Sequence, residues 1–436
     1  FQSGLRIKHL ISKNWLTDLV ISGITTSESE DTNIEGGYRL CDIDKDPSST
    51  TYNDCLVTRG IGTNFKYARN ALNANILDIR LNNVHLNNAG NMEWEWGVQI
   101  NSADFDDELN EYSFVDSADY ITNFESAVAN NILVNTSFAG YSQTKYYFKS
   151  GSTLEGGIRF IRPRLTGEVL VAPRLYFKLP TEINGVNVTF HSGAGVHYQP
   201  SFYREYRESS GNLNYLNSST QSSFHLVGGL DMNLKIWDRP FNFVSEVYYK
   251  YLWNIIPYDI DNIKIRYLPS YSGTAYATGL DSRFGGEFIQ GTESWFSLSI
   301  LSTKEKLDNT NNTFIRRPSD QRVTFGLYFQ DHFPENPNMK VSINLQFGTG
   351  LPFGPPGNII YRSYFTGEMY KRIDLGFTRD IIKEKYKAFL SLEILNLLGS
   401  DNTITYSWVE DVSGRQIAIP NALSARFFNF KIGFTI

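Results

Sequence analysis

No run in this 436-residue chain approaches the roughly 18 uninterrupted apolar residues of a membrane-spanning helix. That excludes helical insertion and leaves strands open, because half of every barrel strand is wet and escapes a hydropathy scan. Histidine is scarce. His9, His85, His191, His197, His225 and His332 show no metal-ligand spacing, and His191 and His197, though on one face, lie six strand residues or about 20 Å apart. No Ser, His and Asp arrangement and no glycine-rich phosphate loop stands at a strand-to-helix junction, so neither an enzyme nor a resident cofactor or metal is expected. The net charge of -6 argues against nucleic acid as a partner.

What the chain does have is alternation. From Phe428 to Ile436, Phe428, Phe430, Ile432, Phe434 and Ile436 share one face, and Asn429, Lys431, Gly433 and Thr435 share the other. Met92, Trp94, Trp96, Val98 and Ile100 interleave Glu93, Glu95, Gly97 and Gln99 in the same way, and similar runs recur at 224–234, 322–330 and 339–347. A soluble sandwich strand alternates too, but these segments reach the ten or so residues that a tilted membrane strand needs. Aromatic residues make up 14% of the chain, and Trp94, Trp237, Trp253, Trp295 and Trp408 sit near the ends of alternating runs, as interfacial girdles require. The fold class expected is all-β: a transmembrane, antiparallel, up-and-down β-barrel in contact with outer-membrane lipid and lipopolysaccharide.

The joins between runs alternate short and long. Ser12 to Trp15 is short, Ser27 to Asn70 long, Asn87 to Asn91 short and Asn101 to Asn130 long. Short joins then fall near Lys149, Thr181, Asp238, Gly291, Pro334 and Lys383, and long ones near Arg164, Gly211, Pro257, Asn309, Pro356 and Asp411. Short periplasmic turns and long external loops alternate in this manner in bacterial barrels. The count is about seventeen strands, an odd number where single-chain barrels close with an even one. Tracing back from the final strand makes Gly4–Ile11 a descending strand, so an N-terminal part is expected ahead of Phe1, where no signal peptide stands.

Cys41 and Cys55, the two cysteines, fall in one external join, where a disulfide is expected and a pair of free thiols is the alternative. Between them Asp42, Asp44 and Asp46 have calcium-loop spacing, but Pro47 replaces the sharp-turn glycine and no Glu supplies the last ligand. The polar face carries charges of both signs, among them Arg80, Glu95, Glu155, Arg159, Arg174, Glu246, Lys250 and Asp281, as a solvated lumen would. Ligand contacts are sought in the external joins, in three clusters: Tyr203, Arg204, Tyr206 and Arg207; Arg316 and Arg317; and Tyr361, Arg362, Tyr364 and Phe365. Tyrosine stacking with arginine charge pairing would suit a siderophore, a glycan or a peptide.

Several blocks also resemble a known family. Gly140–Phe148 followed by Leu154-Glu155-Gly156-Gly157-Ile158-Arg159 is similar to the mid-barrel hairpin of TonB-dependent outer-membrane receptors. Pro173-Arg174-Leu175, Tyr198-Gln199-Pro200, Arg372-Ile373-Asp374-Leu375 and Leu392–Gly399 follow in the family's order. The phrasing of Arg239-Pro240-Phe241, Tyr276–Asp281 and Gly350–Gly354 resembles the receptors of Bacteroidota. The resemblance implies a barrel of about 22 strands around a plug domain. Residues 1–436 would then be its C-terminal part, with the plug, the first strands and the TonB-contacting segment lying upstream. It implies import of a scarce nutrient across the bacterial outer membrane, with TonB as partner and a surface lipoprotein as a further one. The alternative is a transport-inactive barrel serving as a subunit of a larger outer-membrane assembly. Ile436 departs from the aromatic with which many such barrels end.

Overall fold

A computed structural model describes the chain except residues 53, 117–120, 215–218, 262–263, 309–312, 334–335, 356–357, 385, 411–414, 423–424 and 436. Asn309, Pro334, Pro356, Asp411 and Ile436, used above, lie outside the described residues. In chain order the strands begin β1 (Gln2–Ser12), β2 (Trp15–Ile43), β3 (Cys55–Leu86), β4 (Met92–Asp116), β5 (Ile121–Tyr147), β6 (Thr153–Pro163), β7 (Leu170–Ile183) and β8 (Val186–Gln199). They continue β9 (Gln221–Ile236), β10 (Arg239–Trp253), β11 (Tyr258–Asp261), β12 (Lys264–Tyr267), β13 (Gly273–Ile289), β14 (Thr292–Leu307), β15 (Ile315–Arg316) and β16 (Val323–Phe333). The last are β17 (Asn336–Gly348), β18 (Pro352–Phe353), β19 (Phe365–Thr366), β20 (Tyr370–Lys383), β21 (Tyr386–Leu395), β22 (Thr403–Glu410), β23 (Gln416–Ala422) and β24 (Phe427–Thr435).

One 18-stranded sheet holds all but three small hairpins, and within it each long strand pairs antiparallel with the next long strand in sequence. Setting aside the two-residue β15, seventeen strands form the meander that the alternation predicted. β1 pairs with β2 and β24 with β21; among the described residues neither edge has a second partner. The apolar face points outward: Phe428, Phe430, Ile432 and Phe434 are 70%, 63%, 67% and 62% exposed, a pattern that only lipid makes tolerable.

Turn chemistry fixes the short joins. Asn184 and Gly185 both take positive φ (52° and 79°), the type I′ geometry that suits the twist of a hairpin, so the turn falls there rather than near Thr181. Trp237 and Asp238 adopt the same conformation without a glycine (φ 53° and 60°), and Trp237 packs edge-on against Phe241. The first two long joins differ from expectation. They are the outer halves of continuous strands, with β2, β3, β4 and β5 running 29, 32, 25 and 27 residues. At about 3.3 Å per residue a four-stranded sheet therefore stands far beyond the membrane on the long-join side. Gly, Asn and Asp in these segments look like loop punctuation, but each is paired across the ladder, as in Asn73↔Asp106 and Gly36↔Asn64.

Candidate functional site

The inner wall is kept smooth by a recurring device. Tyr141 lies directly across from Gly97, Tyr176 from Gly193 and Tyr248 from Gly279. A Cβ on Gly97 would stand 2.6 Å from the Tyr141 ring, and one on Gly279 would stand 2.5 Å from Tyr248 Oη, so each tyrosine lies flat over backbone. The result on β4–β13 is a cavity of about 680 Å³ lined by Tyr141, Tyr176, Tyr248, Arg159, Arg174, His197, His225, Lys250, Glu95, Glu155, Glu246 and Asp281.

Most charges elsewhere on the wall are neutralised locally. Gln99 Nε2 and Asn101 Nδ2 donate to Asp78 at 2.6 and 3.2 Å, and Arg80 also binds that carboxylate. Lys431 meets Glu393 at 2.7 Å, Arg372 meets Asp374 at 2.7 Å and Lys340 meets Asp380 at 2.8 Å. Strand register also brings together what linear spacing kept apart. The rings of His197 and His225 lie 4.4 Å apart on neighbouring strands, and His191 Nε2 sits 2.8 Å from Glu246 Oε1. Counting along one strand could not find the first pair; aligning Gly195 with His225 across the ladder would have.

The three loop clusters have different fates. Tyr203 and Tyr206 are buried with Leu133, and Leu72, Phe105, Leu165 and Leu213 pack around them, so the β8–β9 join is a lid glued to the projecting sheet. Tyr203 stacks on Phe105 at 4.6 Å, Arg204 Nε donates to Tyr203 Oη at 2.8 Å, and Arg207 pairs with the buried Asp107 at 2.6 Å. Between them Glu205 accepts from the Phe202 N–H at 3.1 Å and Gln221 Nε2 at 2.9 Å, and burial pushes its carboxyl above the usual range.

The second and third clusters meet each other. Arg362 and Arg317 converge on the fully buried Glu305, Arg317 at 3.5 Å, while Arg316 and Arg322 converge on the fully buried Asp320 at 2.7 and 3.1 Å. Arg316 Nη1 also donates to Thr366 Oγ1 at 2.7 Å, which ties the β14–β16 and β17–β20 joins together. The exposed members are Tyr361, Tyr364 and Phe365, at 50%, 69% and 46%, beside a stack of Phe353 on Tyr406 with ring centroids 3.7 Å apart. Cys41 and Cys55 form a disulfide with Cα atoms 5.3 Å apart, and Asp42 on the same hairpin tip is held below the usual carboxylate range by its bond to Arg59.

This architecture, apolar outside and polar within, is a transmembrane β-barrel of the outer-membrane type. No family model matches the sequence, nor does any curated protein. Solved structures do. FpvAI in complex with pyocin S2 matches with a TM-score of 0.64 at 12% identity, over 99% of this chain and 56% of that one. The pyoverdine receptor FpvA of Pseudomonas aeruginosa PAO1 matches with a TM-score of 0.61 at 13% identity, over 98% and 60%. The ferric yersiniabactin uptake receptor FyuA of Yersinia pestis matches with a TM-score of 0.60 at 12% identity, over 99% and 60%. The fold is therefore the barrel of TonB-dependent outer-membrane receptors, and the chain spans 56–60% of the length of these three structures.

Proposed function

We propose that the chain is the greater part of the barrel of a TonB-dependent importer, integral to the bacterial outer membrane, that takes up a scarce nutrient. The observation that carries this reading is the smooth, polar inner wall: tyrosines laid over glycines keep it free of bulky projections and lined to be wet. The open edges at β1 and β24 support closure by further strands, and a plug domain and TonB follow as partners. Tyr361, Tyr364, Phe365 and Arg204 are the cluster residues with surface free for a ligand; Tyr203, Tyr206, Arg207, Arg316, Arg317 and Arg362 act by holding the loops that present them. The test is energy-dependent uptake. Cells with and without the gene are fed single limiting nutrients (ferric siderophores, glycans, peptides) with and without a protonophore. Growth or uptake that needs both gene and proton gradient on one nutrient supports import. No dependence on any, with the protein recovered as a stoichiometric subunit of a larger outer-membrane complex, would replace it with the scaffold reading.

A further inference from the structure

One stretch of the wall breaks the rule of local neutralisation. Arg174, Gly195, His225 and Lys250 stand directly across from one another on β7, β8, β9 and β10, a row that crosses four strands at about 4.8 Å spacing. Arg159 and His197 sit one rung nearer the long joins. Among the described residues Arg159, Arg174 and Lys250 have no carboxylate partner, in contrast to Lys431, Lys340 and Arg372. The acids on the same strands are set apart: Glu155 and Glu246 lie four residues below Arg159 and Lys250, about 13 Å along the strand, and Glu246 is engaged by His191. On these strands basic and acidic residues thus stand at different levels rather than in pairs; Glu95, level with Arg174 by register, lies three strands away and accepts from Gln143 Nε2 at 2.7 Å.

Gly195 has no side chain, and a Cβ there would meet Arg174 Cγ at 3.1 Å and His197 Nε2 at 3.4 Å, so Arg174 and His197 draw in over bare backbone at the middle of the row. On the other flank of Arg174, Gly157 adds no side chain of its own, and Gln143 lies over it. The two imidazoles lie 4.4 Å apart, but flanking guanidinium and ammonium groups repel a cation there. The same groups favour an anion, whose oxygens would accept charge-assisted hydrogen bonds from several donors at once.

We infer that this row is a binding strip for carboxylate-bearing anions on the lumen wall. The inference rests on the register and on the cationic groups that line the cavity without a carboxylate partner, and stands whether or not the barrel imports a nutrient. Two sources of carboxylate fit, a free polycarboxylate in the lumen or the side chains of a protein segment seated against the wall.

The experiment uses the whole protein purified from outer membranes in detergent, with citrate as probe. Wild type is compared with Arg174→Gln/Lys250→Gln and with the charge-keeping Arg174→Lys/Lys250→Arg, all checked for folding by heat-modifiable migration. If a free anion is the occupant, calorimetry shows citrate binding that weakens with salt, falls about tenfold or more in the Gln pair and survives in the charge-keeping pair. If a seated segment occupies the strip, wild type binds no citrate, but the Gln pair melts several degrees lower and the charge-keeping pair does not. Citrate binding unchanged by the Gln pair, or neither binding nor a stability difference, overturns the proposal.

Discussion

Replacing Glu305 by alanine should release the loop that carries Tyr361, Tyr364 and Phe365. Glu305 is fully buried and receives Arg362, itself 3% exposed, while Arg317 stands 3.5 Å from its other oxygen. Removing one member of a buried ion pair strands the other, and costs about 3–5 kcal/mol. Here two guanidinium groups are left facing each other, so the upper part of that range applies. The network joins β14 and the β14–β16 join to the β17–β20 loop, so the loss should appear as local opening at this end rather than collapse of the barrel. Hydrogen exchange across residues 349–369 should accelerate by about 10³ or more, with β8 to β10 unchanged. The double variant Glu305→Leu/Arg362→Met removes both charges at similar volume and should recover much of the protection. Loop exchange in Glu305→Ala within a few-fold of wild type would refute the reasoning, as would a double variant no better than the single.

Three further outcomes follow from other parts of the molecule. Serine at Cys41 and Cys55 should cost the hairpin tip roughly 3 kcal/mol in the chain-entropy model, seen as new protease cleavage within 41–55 and an unchanged barrel melting point. Valine at Gly97 would press on the Tyr141 ring at 2.6 Å and the Leu81 carbonyl at 2.7 Å; backbone cannot yield as a side chain can, so about 1–3 kcal/mol is lost and heat-modifiable migration should show poor assembly. Glu205, raised by burial, binds its proton more tightly in the folded loop than in the unfolded chain. Stability of the 201–214 lid should therefore fall as pH rises from about 4.5 through the raised value, and Glu205→Gln should flatten that dependence in exchange measurements.

The wall was legible because lipid enforces a period of two. Phe428 to Phe434 could be assigned their outward face from letters alone, and so could Val98 and Ile100, which are exposed as expected. The projecting sheet was not legible, since away from lipid nothing forces one face of β2 to β5 to be apolar and the period fades: Asp106, Asp107 and Glu108 come in succession. The loop clusters were found as residue types but not as roles. Tyr206 and Arg362 carry the same aromatic and basic signals as Tyr364, yet burial separates them, and burial depends on which strand each loop folds onto. The His197 and His225 pair, and the basic row around it, depend on cross-strand register, which single-strand spacing does not encode.

The central claim is that these strands cross a bilayer with one face in lipid and one in water. Single cysteines at Val98, Gln99, Ile100 and Asn101, added beside the native disulfide and labelled with a polarity-sensitive fluorophore, test it in brominated-lipid vesicles. Val98 and Ile100 face outward, whereas Gln99 and Asn101 bind Asp78 inside. Strong quenching at 98 and 100 with little at 99 and 101 is the expected result; quenching uniform along the four positions, or absent from all of them, would contradict the barrel.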